Sequence, residues 1–248
     1  MTDVATRTAD ITGSATAAPK GLLARAVGVI VSPRETYADI AAHPRVLGTL
    51  AVVLLIVVGA STAFLLTEVG KNALFDQQLR TMESFGIRIN DQMYDRLEQQ
   101  LQWAPYIAAL SLVLFPVVWA IVAGIILAVF SAVMGGDGTF KQVYAIVVHA
   151  GFLIALQQLF VAPLNYARQL MSSPTNLAVF FPFLDERSFP AMLLGGLDLF
   201  YIWLIVNLSI GIGVLYKKKT APIAMTMLGI YVSLVFVYAG VRSALSGA

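Results

Sequence analysis

The chain has 248 residues, of which 58% are hydrophobic and 12% are charged, whereas soluble domains average about 25% charged residues. It contains no cysteine, which excludes disulfides, thiolate metal sites and cysteine nucleophiles, and its formal charge of +2 is too small to indicate nucleic-acid binding. Because about 20 apolar residues in a helix cross a bilayer, long charge-free stretches exclude a soluble globular enzyme. Five such stretches occur, at 46–67, 99–136, 142–167, 199–216 and 220–241.

The residues before the first charge-free stretch divide into a tail and two short helices. Residues 1–20 are rich in Ala and Thr without apolar periodicity, which predicts a disordered tail. The tail lacks the apolar core of a signal peptide, so we expect the N-terminus to stay on the side where it is made. Residues 21–45 predict amphipathic helices that lie on the membrane surface. Ser32, Pro33 and Glu35 match a capping box with proline at the first helical position.

The charge-free stretches in the rest of the chain predict an all-α integral membrane protein. We expect a bundle of five transmembrane helices with amphipathic interfacial helices. This membrane domain covers 46–245, with spans at about 46–67, 105–134, 142–164, 197–216 and 221–241. Residues 68–102 carry ten charges of mixed sign beside helical apolar stripes, which predicts an extracytoplasmic helical hairpin. The segment 169–196 contains three prolines and is too broken to cross, so we expect it in the interface or against protein.

Basic residues predict the orientation of the spans. Lys and Arg are enriched in cytoplasmic loops, and the short loop between the fourth and fifth spans holds Lys217, Lys218 and Lys219. A cytoplasmic N-terminus also places this loop in the cytoplasm, because four predicted spans separate the two. The sequence therefore predicts an N-terminus inside and a C-terminus outside.

The candidate polar contacts inside the predicted spans are His149, Gln157, Gln158 and Asn207. They could line a polar pathway in which His149 carries protons, or they could form hydrogen bonds between helices. We favour hydrogen bonding, because the charge-free stretches offer no carboxylate for a proton relay. Gln157 and Gln158 are adjacent and point about 100° apart, so they are not expected to face one narrow pore together.

No catalytic or metal-binding pattern accompanies these residues. His43 is the second histidine of the chain, and two separated histidines without cysteine do not supply the three or four ligands of a metal site. The sequence also lacks a metalloprotease helix motif, a serine nucleophile elbow and a phosphate-binding lysine loop. The chain is therefore predicted to be no enzyme and to have no cofactor.

A glycine-rich segment precedes the third predicted span. Gly135, Gly136 and Gly138 surround Asp137 there. A phosphate-binding loop would continue with Gly-Lys-Ser/Thr, and this segment does not, so a plain tight turn is the better interpretation. Thr139 then caps the helix that follows.

Three segments, in this order, resemble the Yip (Ypt-interacting protein) membrane family in its bacterial form. They are VIVSPRETYADIAAHP at 29–44, GGDGTFKQVYAIVVHA at 135–150 and LDLFYIWLIVNLSIGIGVLYKKKTAPIAM at 197–225. The resemblance implies a five-span, non-enzymatic protein of the bacterial inner membrane. Eukaryotic relatives bind small prenylated GTPases, but this chain lacks their long cytoplasmic N-terminal domain, so GTPase binding is not expected here.

Two functions remain open from the sequence. The first is a protein that binds or organises other membrane components, as an accessory to a transport or trafficking assembly. Its partners would be the lipid bilayer and either a second copy of the chain or another membrane complex, with no nucleic acid. The second is a small transporter or lipid-translocating protein with a polar path near His149, Gln157 and Asn207.

Overall fold

The computed structural model describes residues 18–133 and 135–246, so most of the predicted tail at 1–20 lies outside the described residues. The all-α class is confirmed, since the described residues form helices and no named strand. The α-helices are α1 (Leu22–Val31), α2 (Pro33–Ala42), α3 (Leu47–Leu65), α4 (Glu68–Ser84), α5 (Asp91–Leu101), α6 (Ala104–Leu127), α7 (Phe140–Arg168), α8 (Phe189–Gly196), α9 (Leu199–Leu215) and α10 (Thr220–Ser246). A π-helical turn, Ala128–Val133, extends α6, and a 3-10 helix, Leu177–Phe180, lies between α7 and α8.

Five long helices, α3, α6, α7, α9 and α10, run between two ends of the bundle. One end holds α1, α2, the turn 135–139 and Lys217–Lys219, and we name it the lysine end. The opposite end holds α4, α5 and the segment 169–198, and we name it the hairpin end. The two ends of α9 fix this arrangement: Tyr216 packs on the turn at the lysine end, and Asp198 bonds to Gln157 at the hairpin end.

Four of the five long helices are long and apolar enough to cross a membrane: Leu47–Leu65, Ala104–Ser131, Phe140–Arg168 and Thr220–Leu245. The fifth, α9, is apolar but has 17 residues. At 1.5 Å per residue it is about 25 Å long, a little less than a hydrocarbon core of about 30 Å. It nevertheless packs against α7 and α10 in the same bundle, with its start beside Gln157 of α7 and Tyr231 of α10. The predicted fourth span is thus a short member of that bundle.

The third long helix, α7, forms the centre of the bundle. Its apolar stretch is 61% buried inside the protein, whereas the corresponding stretches of α6 and α10 are 17% and 11% buried. The buried core joins α7 to α3, α6 and α9 through residues such as Val53, Ala123, Ile146 and Ile212. The large apolar side chains of α6 and α10 therefore face outwards, as lipid-facing helices require.

The N-terminal helices α1 and α2 form a corner that packs on the lysine end. Val29, Tyr37 and Ile40 are completely buried there against the bundle core. The opposite side of α1 exposes Leu23 and Val31, which are 76% and 72% accessible. A helix with its apolar face outwards suits the membrane interface, while its inner face is held by protein.

The capping box predicted from Ser32 and Glu35 is wrong. Ser32 makes no side-chain capping bond, and Glu35 instead forms an ion pair with Lys20, with 2.9 Å between Oε1 and Nζ. Ser32 also ends α1, donating its backbone N–H to Gly28, and its ψ of 63° departs from the extended backbone of a serine cap. Pro33 does occupy the first position of α2.

A complete capping box occurs at the start of α7. The Thr139 hydroxyl accepts from the Gln142 backbone N–H, and the Gln142 side-chain oxygen accepts from the Thr139 backbone N–H at 3.0 Å. The Gln142 amide nitrogen also donates to the Ala41 carbonyl at 2.9 Å. The predicted cap at Thr139 is confirmed, and the same glutamine ties α7 to the end of α2.

Candidate functional site

The first predicted polar residue, His149, is completely buried and bridges α7 and α3. Its Nδ1 lies 2.7 Å from the Ala145 carbonyl oxygen, and its Nε2 lies 2.9 Å from Thr49 Oγ1. Because a carbonyl only accepts, Nδ1 carries the proton, and Nε2 accepts from the Thr49 hydroxyl. Both ring nitrogens are therefore used by a neutral imidazole held between two helices.

A second predicted residue, Asn207, attaches α9 to the N-terminal helices. Its amide nitrogen donates to the Val29 carbonyl at 2.7 Å, and its side-chain oxygen accepts from the Tyr37 hydroxyl at 2.5 Å. Burial raises the pKa of the Tyr37 hydroxyl, so the phenol keeps the proton that it donates. The groups of Asn207 are thus occupied by α1 and α2.

An ion pair closes the corner between α1 and α2. Arg25 is 2% exposed, and its Nε donates to Asp39 Oδ2 at 2.8 Å. A second guanidinium nitrogen donates to the His43 carbonyl at 2.9 Å. Burial by itself raises the pKa of the Asp39 carboxyl, but the Lys20 backbone N–H and the Arg25 guanidinium outweigh it and lower that pKa. This pair was not predicted from the sequence, because its two residues meet only when α1 and α2 fold back on each other.

At the hairpin end, Gln157 contacts a carboxylate that sequence analysis missed. Asp198 is 4% exposed, and its Oδ1 accepts from Gln157 Nε2 at 3.1 Å and from the Phe200 backbone N–H at 2.8 Å. Its Oδ2 accepts from the hydroxyls of Ser173 at 2.5 Å and Thr175 at 2.7 Å. The signal in the sequence is one acidic residue directly before a long charge-free stretch, at the start of the fourth predicted span.

Asp198 lies beside a cavity of about 250 Å³. The lining combines polar residues (Ser61, Gln157, Gln158, Asn165, Ser173, Asp198 and Tyr201) with apolar ones (Phe64, Val161, Ala162 and Met171). Gln158 donates to Ser61 on α3 at 3.2 Å, while Gln157 bonds to Asp198. Both glutamines line this cavity, although they bond to different helices.

The glycine turn packs against an aromatic ring. A Cβ built on Gly136 would lie 2.5 Å from the Tyr216 ring, and one on Gly138 would lie 2.6 Å from the Tyr216 hydroxyl. That hydroxyl is 3.0 Å from Ser131 Oγ, and Gly135 has a φ of +68°. The glycines therefore provide the space for Tyr216 and the positive φ that closes the turn.

The model of the Yip1 domain family matches residues 27–242. The chain belongs to the Yip1 domain family. The predicted membership of the Yip family is thus confirmed, and the protein is a multi-pass membrane protein of a family not known for enzymes. No curated protein and no solved structure matches the chain.

Within this Yip1 domain, Gln157 and Gln158 line one cavity, whereas His149 and Asn207 do not line it. His149 bonds to α3, Asn207 bonds to α1 and α2, and Gln157 bonds to the residue that precedes α9. In the part of the chain that the structure describes, no group of three or more His, Cys, Asp or Glu could hold a metal ion. The cavity beside Asp198 combines free volume with buried polar groups.

Proposed function

We propose that this Yip1 domain protein is a non-enzymatic membrane protein that binds and organises other membrane components through the outward faces of α3 and α10. One observation carries the proposal. Gly59-x-x-x-Ala63 on α3 and Gly229-x-x-x-Ser233 on α10 are both exposed, and a Cβ added at either glycine would meet nothing within 4 Å. Small residues four positions apart allow the backbone of a neighbouring transmembrane helix to approach closely.

The hydrogen bonds inside the bundle support this role over transport along a polar path. His149 and Asn207 use their side-chain donors and acceptors within the protein, as residues that hold helices together do. The partner of the outward faces is a second copy of the chain or another membrane complex, and the protein serves as an accessory to a transport or trafficking assembly.

Substituting the exposed glycines tests the proposal. Gly59→Leu and Gly229→Leu fill the two faces without touching the bundle, and they replace a poor helix former by a good one, so the monomer should be at least as stable. In native membranes these variants should no longer crosslink to the partner, and in mild detergent they should purify without it. Leu234→Phe is the control, since Leu234 is 66% exposed and lies about 140° around α10 from Gly229.

Two results count against the organising role. One is a native protein that crosslinks to nothing and purifies only as a monomer. The other is a partner that remains bound to both leucine variants as tightly as to the Leu234→Phe control.

We further propose that the protein resides in the bacterial inner membrane with the lysine end in the cytoplasm. The N-terminus is then cytoplasmic and the C-terminus outside. At the lysine end, residues 18–46, 135–141 and 217–219 carry eight Lys or Arg and three Asp or Glu. At the hairpin end, residues 68–102 and 168–198 together with Arg242 carry seven Lys or Arg and nine Asp or Glu. Since the native chain has no cysteine, Lys218→Cys should label only from the cytoplasm and Glu98→Cys only from outside. The reverse labelling pattern contradicts this orientation.

A further inference from the structure

We propose that the cavity at the hairpin end binds a primary ammonium group, of the kind carried by an ethanolamine headgroup or by a free amine. The cavity lies between α3, α7 and the start of α9, away from the outward faces that the organising role uses. The proposal therefore adds a ligand site to the Yip1 domain. It depends on a buried charge, on unused acceptors and on the shape of the lining.

The buried charge is that of Asp198. This carboxylate is 4% exposed, and none of the ion pairs among the described residues includes it. The four groups that donate hydrogen bonds to it are an amide, two hydroxyls and a backbone N–H, and all of them are neutral. A carboxylate away from water is costly unless a positive charge accompanies it, and an acidic residue within a membrane domain marks a candidate site.

Two residues of the lining have a side-chain oxygen for which the described residues supply no hydrogen-bond partner. Asn165 is 8% exposed, and its Oδ1 is buried without a hydrogen-bond partner although the residue lines the cavity. The amide of Gln157 has a fixed orientation, because a carboxylate accepts only and the Gln157 nitrogen must face Asp198. Its Oε1 remains as an acceptor, while the lining contains no Lys, Arg or His. An ammonium group, which carries positive charge and donates three hydrogen bonds, is complementary to this set.

The size and apolar part of the lining favour an organic ammonium over a bare ion. A volume of about 250 Å³ holds several water molecules of about 30 Å³ each, more than a tightly coordinated ion requires. Phe64, Val161 and Met171 provide an apolar wall for the carbon atoms attached to the nitrogen. A trimethylated nitrogen has the same charge without an N–H donor, so a choline group makes a matched comparison.

The test compares ethanolamine with choline on the full chain. In nanodiscs, phosphatidylethanolamine competes with phosphatidylcholine for the cavity. In detergent, the competitors are the soluble compounds glycerophosphoethanolamine and glycerophosphocholine. Because hydrogen bonds to a charged group are strong, we expect the protein to bind the ethanolamine compound about tenfold or more tightly than the choline compound. If the protein prefers the ethanolamine compound in both nanodiscs and detergent, the site is open to free amines. If it prefers ethanolamine only in nanodiscs, the ammonium group that it binds comes from a lipid headgroup. Equal binding of the two groups in both settings overturns the proposal.

Two variants locate the site. Asn165→Leu removes an oxygen that makes no bond within the protein, so the variant should fold as well as the native chain and lose most of the preference. Asp198→Asn removes the charge and should abolish the preference. Gln78→Leu is the control, because Gln78 Oε1 is also buried and unpaired but does not line the cavity. If a folded Asn165→Leu variant prefers ethanolamine over choline as strongly as the native chain does, the proposal is overturned, even if Asp198→Asn does not fold.

Discussion

Gln157 donates a hydrogen bond to the carboxylate of Asp198, with 3.1 Å between Nε2 and Oδ1, and so joins the second half of α7 to the start of α9. Other polar residues of α7 reach other helices. His149 bonds to Thr49 on α3, and Gln142 bonds to the last turn of α2. Dispersion forces between apolar helices in lipid have little directional preference, so these bonds specify which face of α7 meets which helix.

The capping box at the start of α7 gives a direct test of local stability. Thr139→Ala removes the hydroxyl that accepts from the Gln142 backbone N–H, and N-cap truncations of this type cost about 1 kcal/mol. We expect faster hydrogen exchange over the first turn of α7. Ser32→Ala is the matched control and should leave exchange in α2 unchanged, because Ser32 makes no side-chain capping bond. Equal effects of the two substitutions contradict the structure.

These two caps show which parts of the structure a sequence predicts. Thr139 and Gln142 are three residues apart, so their pairing is local and can be recognised from the sequence. Ser32 has the same local pattern, but it also ends α1 at a tight corner, and that tertiary constraint is not visible in four residues. The charge-free stretches predicted the long helices for a similar reason, since hydrophobicity over about 20 residues is a local property.

The cavity could not be predicted in the same way. Asp198 meets its side-chain partners across sequence separations of 41, 25 and 23 residues, so no local motif joins them. Arg25 and Asp39 also pair only because α1 and α2 fold back on each other. His149, Gln157, Gln158 and Asn207 were found because strongly polar residues are rare in lipid, but their partners depend on the packing of the bundle.

The contact between His149 and Thr49 should stabilise the bundle modestly. Thr49→Val keeps the shape of the side chain and removes the donor to Nε2, which is worth about 0.6 kcal/mol on average for hydrogen bonds between transmembrane helices. His149→Leu should cost a similar amount. In the double variant the two effects should be less than additive, because both single substitutions remove the same bond. Thermal unfolding in detergent measures this coupling, and fully additive effects would show that the two side chains do not interact.

Acid should loosen the N-terminal corner through Asp39. The pKa of this carboxyl is lower in the folded protein than in the unfolded chain, so its ion pair contributes its full stability above the unfolded pKa of about 3.9. That contribution is lost as the pH falls through the still lower folded pKa. Hydrogen exchange in α1 and α2 should therefore accelerate below about pH 4. In Asp39→Asn this acid dependence should be absent, and a variant that keeps it would assign the effect to another group.

The packing of Tyr216 on the glycine turn predicts a specific intolerance at Gly136. A Cβ at this position would lie 2.5 Å from the Tyr216 ring and 2.8 Å from the Phe130 carbonyl oxygen, and a backbone oxygen has little room to move. Overpacking of this kind costs about 1–3 kcal/mol, so Gly136→Ala should lower the unfolding temperature. Gly124→Ala is the matched control, since a Cβ at Gly124 meets nothing within 4 Å and alanine favours the helix.

A second substitution separates the ring from the backbone oxygen. Tyr216→Ala removes the ring, so combining it with Gly136→Ala should recover part of the loss that Gly136→Ala causes alone. Recovery should be incomplete, because the Phe130 oxygen remains 2.8 Å from the new methyl group. If Gly136→Ala is as stable as Gly124→Ala, the turn does not pack on Tyr216 as the structure describes. Its glycines would then have to be explained by backbone freedom alone, which Gly135 with its φ of +68° requires and Gly136 does not.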